Sequence, residues 1–167
     1  SAINGLRPVH IHIRADFLML AMNQLVNMVS NTQYMSNGRL KVPMVIRVVI
    51  GRGWGQGPQH SKSLYSLFAH IPGLTVVAPT TPNDAYGLLV SAIRSDNPVL
   101  VFEHRWLYDI EGEVDTEQPI LPLVVYPPNF MKMGKDVTVF ATSWMAVEAM
   151  KAAEILEKVG VSVEVIN

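Results

Sequence analysis

A histidine that follows a glycine-rich loop is the first candidate for chemistry in this chain. The loop runs from Gly51 to Gly57 after an apolar strand, and His60 comes just behind it. Ligand sites of α/β proteins gather at the carboxyl ends of parallel strands, so a histidine there is placed for proton transfer. The loop fits neither the dinucleotide pattern G-x-G-x-x-G nor the P-loop pattern. His60 is therefore a candidate proton-handling residue, with a purely structural role equally open.

Other polar residues in this sequence point less clearly to chemistry. Ser61 is better explained as the N-cap of the helix that follows than as a nucleophile, since no aspartate in an obvious position completes a triad. His10 and His12 lie on one face of a predicted strand, but no nearby carboxylate or third histidine joins them in a metal site. The run from Glu103 to Asp109 directly follows a strand, where it fits a site edge, a subunit contact or an ordinary exit into a loop.

Apolar strands and helices alternate along the first two thirds of the chain and must position these residues. Strands are predicted at 8–13, 43–50, 74–78 and 98–103. Helices are predicted at about 16–33, 61–70 and 82–94. The first helix is apolar nearly all round and is expected to be buried, and the third starts with Thr81 as its N-cap. Near-continuous apolar strands in this order predict an α/β fold with a mostly parallel sheet and helices on both faces.

The last third of the chain has a different character. Residues 104–135 are rich in proline and acidic side chains without periodicity, so we expect a domain boundary there and a linker at 108–135. A strand at 136–142, a helix capped by Ser143 and ended by Gly160, and a strand at 161–166 follow. One β-α-β unit is too small for a core of its own. It is predicted to be the start of a second α/β domain at 136–167, after a first domain at 1–107.

Composition excludes several classes of protein. The chain has 167 residues, of which 49% are hydrophobic and 16% charged, with a net charge of −1 and no cysteine. Disulfides, thiolate metal sites and a cysteine nucleophile are excluded, and the balanced charge argues against nucleic acid as a partner. The sequence has no apolar run of membrane-spanning length and no signal-peptide pattern. We expect a location in the cytoplasm, or in the mitochondrial matrix of a eukaryote.

Three segments of the chain carry a family resemblance. They read HIRADFLMLAMNQLVN, GQGPQHSKSLYSLFAHIPGLTVVAPTTPNDAYGLL and SAIRSDNPVLVFEHRWLYD. Together they resemble the β subunit of the thiamine-diphosphate-dependent 2-oxo acid dehydrogenases, the E1 components for pyruvate, branched-chain 2-oxo acids and acetoin. The resemblance covers about residues 6–167. It implies a pyrimidine-binding domain followed by the start of a transketolase C-terminal-like domain.

The resemblance also implies roles for individual residues. Phe17 matches the aromatic residue that packs on the aminopyrimidine of thiamine diphosphate, and His60 matches an active-site histidine that handles protons or charge during acyl transfer. A structural potassium ion, bound mainly through backbone carbonyls, is implied at Met44, Ala92, Ile93, Ser95 and Asn97. The implied partners are an α subunit that grips the cofactor diphosphate through Mg²⁺ in an α2β2 heterotetramer, a lipoyl-bearing E2 acyltransferase and a small 2-oxo acid.

One departure from the family pattern concerns the catalytic glutamate. In relatives this residue lies on a segment that precedes Ser1, whereas the first glutamate here is Glu103. We therefore expect an internal fragment that is inactive alone. A transketolase or 1-deoxyxylulose-5-phosphate synthase is the enzyme alternative, and a separate adjacent α-subunit gene would argue against it. A shortened binding or assembly module is the non-enzyme alternative, which a native reading frame beginning near Ser1 would favour.

Overall fold

The first sheet consists of the parallel strands that the apolar runs predict. The computed structural model describes residues 1–53 and 55–167, so Trp54 of the predicted glycine loop lies outside the described residues. The strands are β1 (Val9–His12), β2 (Val45–Ile50), β3 (Thr75–Val77) and β4 (Val99–His104). They lie in the order β1-β2-β4-β3, and each neighbouring pair is parallel. The central strands β2 and β4 are buried along nearly their whole length, which is why their sequences are continuous apolar runs.

Helices cover both faces of this sheet, as the sequence predicts. They are α1 (Ala15–Leu18), α2 (Thr32–Met35), α3 (Tyr65–Ala69) and α4 (Pro82–Arg94). One face packs the alternate strand residues Ile46, Val48 and Leu100 against α1 and α3. The opposite face packs Val45 and Val99 against α4. The two hydrophobic layers fix the positions at which the strands end, and the candidate site lies at those ends.

The first predicted helix differs from expectation in both regularity and burial. Residues 15–35 form short helical pieces, in which α1 is followed by a 3-10 turn at Met19–Ala21, a π-helix at Asn23–Val29 and then α2. Leu18 and Leu25 are buried, but Leu20 is 86% and Tyr34 89% exposed. The prediction of a helix buried all round is wrong because the sheet covers one side of the segment. The other side remains apolar and open in this chain.

Two predicted helix starts have opposite outcomes. The second helix begins at Tyr65 and not at Ser61, whose Oγ donates to the Gly57 carbonyl at 2.7 Å, so the predicted N-cap is wrong. Helix α4 begins as predicted, because Thr81 Oγ1 accepts from the Asp84 N–H at 3.0 Å and Asp84 accepts from the Thr81 N–H at 3.1 Å. Further 3-10 turns lie at Ala2–Asn4, Pro58–His60, Arg105–Leu107 and Leu123–Val125.

A second, smaller sheet follows the first unit. It is built from β5 (Phe130–Lys132), β6 (Val137–Phe140) and β7 (Val163–Ile166), with α5 (Trp144–Glu157) packed on β7. Strand β7 lies in the middle, parallel to β6 and antiparallel to β5. The stretch predicted to lack structure therefore contributes a strand. Ser143 precedes α5 as predicted, but its φ is 57° and its buried Oγ has no partner among the described residues, so it does not cap the helix.

The segment between the two sheets packs closely on α4. Ser91 Oγ donates to the Leu121 carbonyl at 2.5 Å, and Leu123 joins the hydrophobic layer under α4. Gly87 leaves room for Tyr126, whose hydroxyl would lie 2.2 Å from a Cβ at that position. No helix in the described part of the chain is long and apolar enough to cross a membrane.

Candidate functional site

The segment after β1 and the loop after β2 meet at the carboxyl edge of the first sheet. Both strands point the same way, so the residues that follow them leave from one edge. Arg14 is only 3% exposed, donates from Nη1 to the Gly51 carbonyl at 3.0 Å and donates from Nη2 to Gln56 Oε1. The buried guanidinium therefore holds the loop against the start of α1. Arg14 and Gln56 were not among the residues predicted from the sequence.

Phe17 and His60, which the resemblance assigns to one site, are in contact. Their ring centroids are 5.2 Å apart at an interplanar angle of 73°, an edge-to-face arrangement. Phe17 is 45% exposed, so part of its ring is open to a ligand. His60 Nδ1 is buried without a hydrogen-bond partner among the described residues. A buried polar atom left unpaired costs about 1–3 kcal/mol, which indicates that another group completes this site.

A carboxylate lies beside this pair. Asp16 Oδ1 accepts from Lys62 Nζ at 2.8 Å, and the Asp16 side chain is 7% exposed against 49% for Lys62. The other carboxylate oxygen, Oδ2, is buried and has no partner in the described part of the chain. Neither residue was predicted from the sequence, because no spacing rule links residue 16 to residue 62. Their positions directly next to Phe17 and two places after His60 were the available signal.

The donor set at this edge fits the planar, nitrogen-containing ring that the resemblance implies. A half-exposed aromatic ring offers a stacking face, while the imidazole and the carboxylate offer unsatisfied polar atoms. No group of three or more histidine or acidic side chains among the described residues is arranged to hold a metal ion. His10 and His12 do share a face, with Nε2 of one 3.0 Å from Nδ1 of the other, and their pair lacks a third ligand.

A second polar cluster consists of Arg47, Glu103 and Tyr108. Arg47 donates from Nε to Oε1 of Glu103 at 2.5 Å and from Nη2 to Oε2 at 2.8 Å, and the Tyr108 hydroxyl donates to Oε2 at 2.9 Å. The hydrogen bond to Glu103 raises the pKa of Arg47, and burial together with the Glu103 charge raises the pKa of Tyr108. The cluster lines a cleft of about 350 Å³, whose wall also includes Thr80 and Leu107. Both carboxylate oxygens are paired, so the start of the run at 103–109 is held by internal bonds.

An aromatic stack covers the exit of β4. His104 stacks on Trp144 with centroids 5.8 Å apart, and Trp106 approaches His104 edge-on at 5.6 Å. Burial lowers the pKa of His104. A Cβ on Gly51 would lie 2.2 Å from His104 Nε2, and Gly51 has a φ of +83°. The first glycine of the loop is thus required for packing.

The residues implied for potassium surround the turn after α4, and their carbonyl oxygens already accept hydrogen bonds. The Arg7 guanidinium donates from Nη1 to the Ile93 carbonyl at 3.1 Å and to the Ser95 carbonyl at 2.6 Å. Hydrogen bonds link the carbonyls of Met44 to Val99, of Ala92 to Ser95 and of Asn97 to Ser95. Carbonyl oxygens attract cations. In the structure, the cationic group that contacts the carbonyls of Ile93 and Ser95 is the Arg7 guanidinium.

Asp96 lies in the same exposed turn and carries a negative charge. It accepts from Arg7 Nη2 and from Lys41 Nζ, each at 2.6 Å. The hydrogen bonds from Lys41 and then Arg7 lower the pKa of Asp96. Arg7 and Lys41 therefore compensate the negative charge of Asp96.

Comparison with known protein families gives two matches along the chain. Residues 1–110 match the family described as transketolase, pyrimidine binding domain, and residues 129–167 match transketolase, C-terminal domain. The acetoin:2,6-dichlorophenolindophenol oxidoreductase subunit beta of Cupriavidus necator is 38% identical over 167 residues, which are 100% of this chain and 49% of that protein.

Two further relatives carry related names. The 2-oxoisovalerate dehydrogenase subunit beta of Bacillus subtilis is 39% identical over all of this chain and 51% of that protein. The pyruvate dehydrogenase E1 component subunit beta-4, chloroplastic, of Oryza sativa subsp. japonica is 41% identical over all of this chain and 41% of its own length. The chain thus spans about half the length of the curated relatives it matches.

Solved structures share the fold at lower identity. A split-gene transketolase, described as an inactive beta4 tetramer, matches with a TM-score of 0.74 at 21% identity, over 99% of this chain and 50% of that one. A Pichia stipitis transketolase complex matches with a TM-score of 0.70 at 17% identity, over 95% of this chain and 22% of that one. At these identities the likeness establishes the fold alone.

Proposed function

Because the chain belongs to the transketolase pyrimidine-binding domain family, we propose that it forms the pyrimidine side of a thiamine diphosphate site in the β subunit of a 2-oxo acid dehydrogenase E1, an oxidoreductase. One observation carries the proposal. Phe17 and His60 are in contact at the carboxyl edge of the sheet, beside two buried polar atoms that the described chain leaves unpaired. A ligand with a flat ring and polar edge atoms suits that arrangement.

In this proposal the residues of this chain bind and orient the cofactor, and they move protons. Thiamine diphosphate, when bound, supplies the electron sink that decarboxylation of a 2-oxo acid requires. Phe17, whose ring is partly open, would hold the aminopyrimidine, and Arg14 fixes the loop that keeps His60 against Phe17. His60 takes up and returns a proton while the acyl group passes to a lipoyl arm.

An α subunit is the partner that this proposal requires. It would hold Mg²⁺ and the cofactor diphosphate, and the two subunits would assemble as an α2β2 heterotetramer. The open apolar side of residues 15–35 supports an assembly, because a surface of this kind is normally covered by another protein. Its exposed large side chains are Phe17, Met19, Leu20, Met28, Tyr34 and Met35. Light scattering on the co-expressed pair tests this, and an active αβ dimer as the sole species would refute it.

The remaining partners follow from the same assignment. The acyl acceptor is a lipoyl-bearing E2 acyltransferase, and the substrate is a small 2-oxo acid. Bacterial proteins and plant chloroplast and mitochondrial proteins occur among the relatives. We place the protein in the cytoplasm, or in the mitochondrial matrix of a eukaryote.

Turnover by the assembled enzyme tests the function directly. The natural reading frame that contains this chain is co-expressed with its α subunit and supplied with thiamine diphosphate and Mg²⁺. Reduction of dichlorophenolindophenol is then measured with pyruvate, a branched-chain 2-oxo acid and acetoin. Substrate-dependent reduction of the dye is the expected result. Ketose phosphate transfer without any 2-oxo acid turnover would instead support a transketolase, and the chain without its α subunit should be inactive.

Potassium at the turn after α4 is a separate part of the proposal. A carbonyl oxygen has two lone pairs, so Ile93 and Ser95 can coordinate potassium while they accept from Arg7. Thermal unfolding in potassium chloride should then occur at a higher temperature than in choline chloride of equal ionic strength. Equal unfolding temperatures would contradict a potassium site.

A further inference from the structure

We propose that His10 and His12 form a two-histidine binding site for a divalent transition-metal cation, with Cu²⁺ as the preferred ion. The site lies on β1, and water completes the coordination around the ion. This inference goes beyond the proposed function and does not depend on it, because neither histidine belongs to the pair of Phe17 and His60.

Strand geometry brings the two imidazoles together. Successive residues of a strand point to opposite faces, so residues 10 and 12 share one face of β1, beside Ile46 and Val48 of the neighbouring strand β2. Strand β1 is the edge of its sheet, in the order β1-β2-β4-β3. His10 is exposed and His12 is half-buried, so both rings can be reached by an ion from solvent.

The facing ring nitrogens have the separation that two ligands of one ion require. His10 Nε2 lies 3.0 Å from His12 Nδ1, and the ring centroids are 5.2 Å apart at an interplanar angle of 51°. When imidazole nitrogens lie about 2.0–2.1 Å from a metal, two of them at a right angle are about 2.9 Å apart, and two at a tetrahedral angle are about 3.3–3.4 Å apart. The observed separation is therefore close to that of neighbouring ligands in a square-planar or tetragonal site.

This geometry and the ligand type together select the ion. Tetragonal sites of nitrogen and oxygen ligands are typical of Cu²⁺ and Ni²⁺, whereas structural Zn²⁺ sites are tetrahedral and use four protein ligands. No set of three or more histidine or acidic side chains in the described part of the chain could hold a metal ion, so water supplies the other positions. Cu²⁺ binds such ligands more tightly than the other divalent ions of its row. The histidine pair therefore favours Cu²⁺ first and Ni²⁺ second.

A shared proton joins the two nitrogens in the metal-free chain. One facing nitrogen donates and the other accepts, and the tautomers of the two rings decide which does so. When the ion binds, this proton moves through solvent to the far nitrogen of the same ring. Both facing nitrogens then offer lone pairs, and two neutral imidazoles hold the ion. The exchange needs rotation of the rings only, because the strand already places both of them on one face.

Titration of the 167-residue chain with copper(II) chloride, in a buffer that does not bind copper, tests the site. Calorimetry should show one tight site, and the electron paramagnetic resonance spectrum of the bound Cu²⁺ should show coupling to two imidazole nitrogens. His10→Ala and His12→Ala should each weaken binding by at least about tenfold, because loss of an outer-shell partner alone costs about 10–100-fold in metal affinity. Circular dichroism checks that each variant is folded.

Two controls separate this chelate from nonspecific copper binding. His70→Ala removes another histidine, whose Nδ1 lies 3.2 Å from the Ser66 carbonyl, and should leave the copper affinity unchanged. The double substitution Ile11→His and His12→Ile keeps the number of histidines but places them on opposite faces of β1. It should weaken binding as much as the loss of one histidine does.

Two results would overturn the inference. One is a copper affinity that is the same in the unmodified chain and in folded His10→Ala and His12→Ala, and the other is a spectrum with a single coordinated nitrogen. The single substitutions decide the question if the double variant does not fold. None of these measurements uses turnover, so failure of the metal site and failure of the proposed function are distinguishable.

Discussion

Two polar clusters at the carboxyl edge of one sheet differ in how completely they are paired. In the cluster of Arg47, Glu103 and Tyr108, both carboxylate oxygens accept hydrogen bonds from within the chain. In the cluster of Asp16, His60 and Lys62, two buried polar atoms have no partner in the described residues. Because a buried polar atom is normally hydrogen-bonded, the paired cluster is explained by stability alone. The unpaired cluster is explained by a ligand or by a bond made during function.

This difference separates two kinds of buried charge that sequence composition does not distinguish. Each cluster has one carboxylate and one cationic side chain; Arg47 and Glu103 lie within strands β2 and β4, whereas Asp16 and Lys62 lie on segments that follow strands β1 and β2. Removal of a residue from the paired cluster should therefore reduce stability and spare catalysis. Removal of a residue from the unpaired cluster should reduce catalysis and leave stability largely unchanged.

The largest expected effect is that of His60→Ala in the assembled enzyme. General acid–base groups contribute about 10²–10⁴-fold to turnover, and we expect a loss in this range. The free energy of unfolding should change by less than about 1 kcal/mol, because His60 has no polar bond to lose on the buried side of its ring. Steady-state kinetics and thermal unfolding measure the two quantities.

His70→Ala is the matched control for this prediction. His70 lies just after α3, with Nδ1 3.2 Å from the Ser66 carbonyl, and has no proposed role in the reaction. Its replacement should leave turnover within a factor of about two. A His60→Ala enzyme that retains the same activity would show that the proposed proton-handling role is wrong.

Glu103→Gln should show the opposite pattern. The substitution leaves the Arg47 guanidinium without its charged partner, while the Glu103 side chain is only 10% exposed. We expect a loss of about 2–3 kcal/mol in the free energy of unfolding, measured by urea denaturation. Turnover of the folded enzyme should change little.

Asp96→Asn provides the contrast for Glu103→Gln. Asp96 also accepts from two cationic side chains, but these ion pairs are exposed and screened by solvent. Its effect on stability should be clearly smaller than that of Glu103→Gln. Equal effects would mean that burial of the Glu103 cluster contributes nothing to the free energy of unfolding. The paired cluster would then not be explained by stability.

Phe17→Leu should weaken cofactor binding in the assembled enzyme. An aromatic contact adds about 0.5–1.5 kcal/mol beyond the buried area, which corresponds to a loss of up to about tenfold in affinity for thiamine diphosphate. Calorimetric titration measures this affinity directly. Phe17→Tyr keeps the ring and should bind normally, and a Leu variant with unchanged affinity would remove Phe17 from the cofactor site.

Much of the fold was predictable from sequence patterns. The strands β2 and β4 are continuous apolar runs because both of their faces are buried, and such runs are typical of parallel sheets. The start of α4 was predictable because Thr81 and Asp84 have the types and the spacing of a capping box. The exposure of residues 15–35 was not, since an apolar residue that meets the core and one that meets a partner have the same sequence signature.

The site was predictable only in part. His60 was found from its place after a glycine-rich loop, and Phe17 from a family resemblance. Asp16 and Lys62 were not found, because their ion pair joins segments that are distant in sequence and is created by the fold. Glu103 was singled out, but whether it served a ligand or the structure depended on the Arg47 partner, which lies on the neighbouring strand.

Tyr108→Phe should reduce the stability of the paired cluster less than Glu103→Gln does, by an amount that depends on pH. The substitution removes the hydrogen bond from the Tyr108 hydroxyl to Glu103, so we expect a loss of about 1 kcal/mol at neutral pH. Burial and the Glu103 charge raise the pKa of Tyr108 in the folded chain, so above a pH of about 10 the unfolded chain releases this proton first. Stability contributed by Tyr108 is therefore present below that pH and declines as the pH rises further. Urea denaturation from pH 7 to 11 should show the difference between the unmodified chain and Tyr108→Phe shrinking at the alkaline end, whereas a constant difference would mean that folding does not raise the pKa of Tyr108.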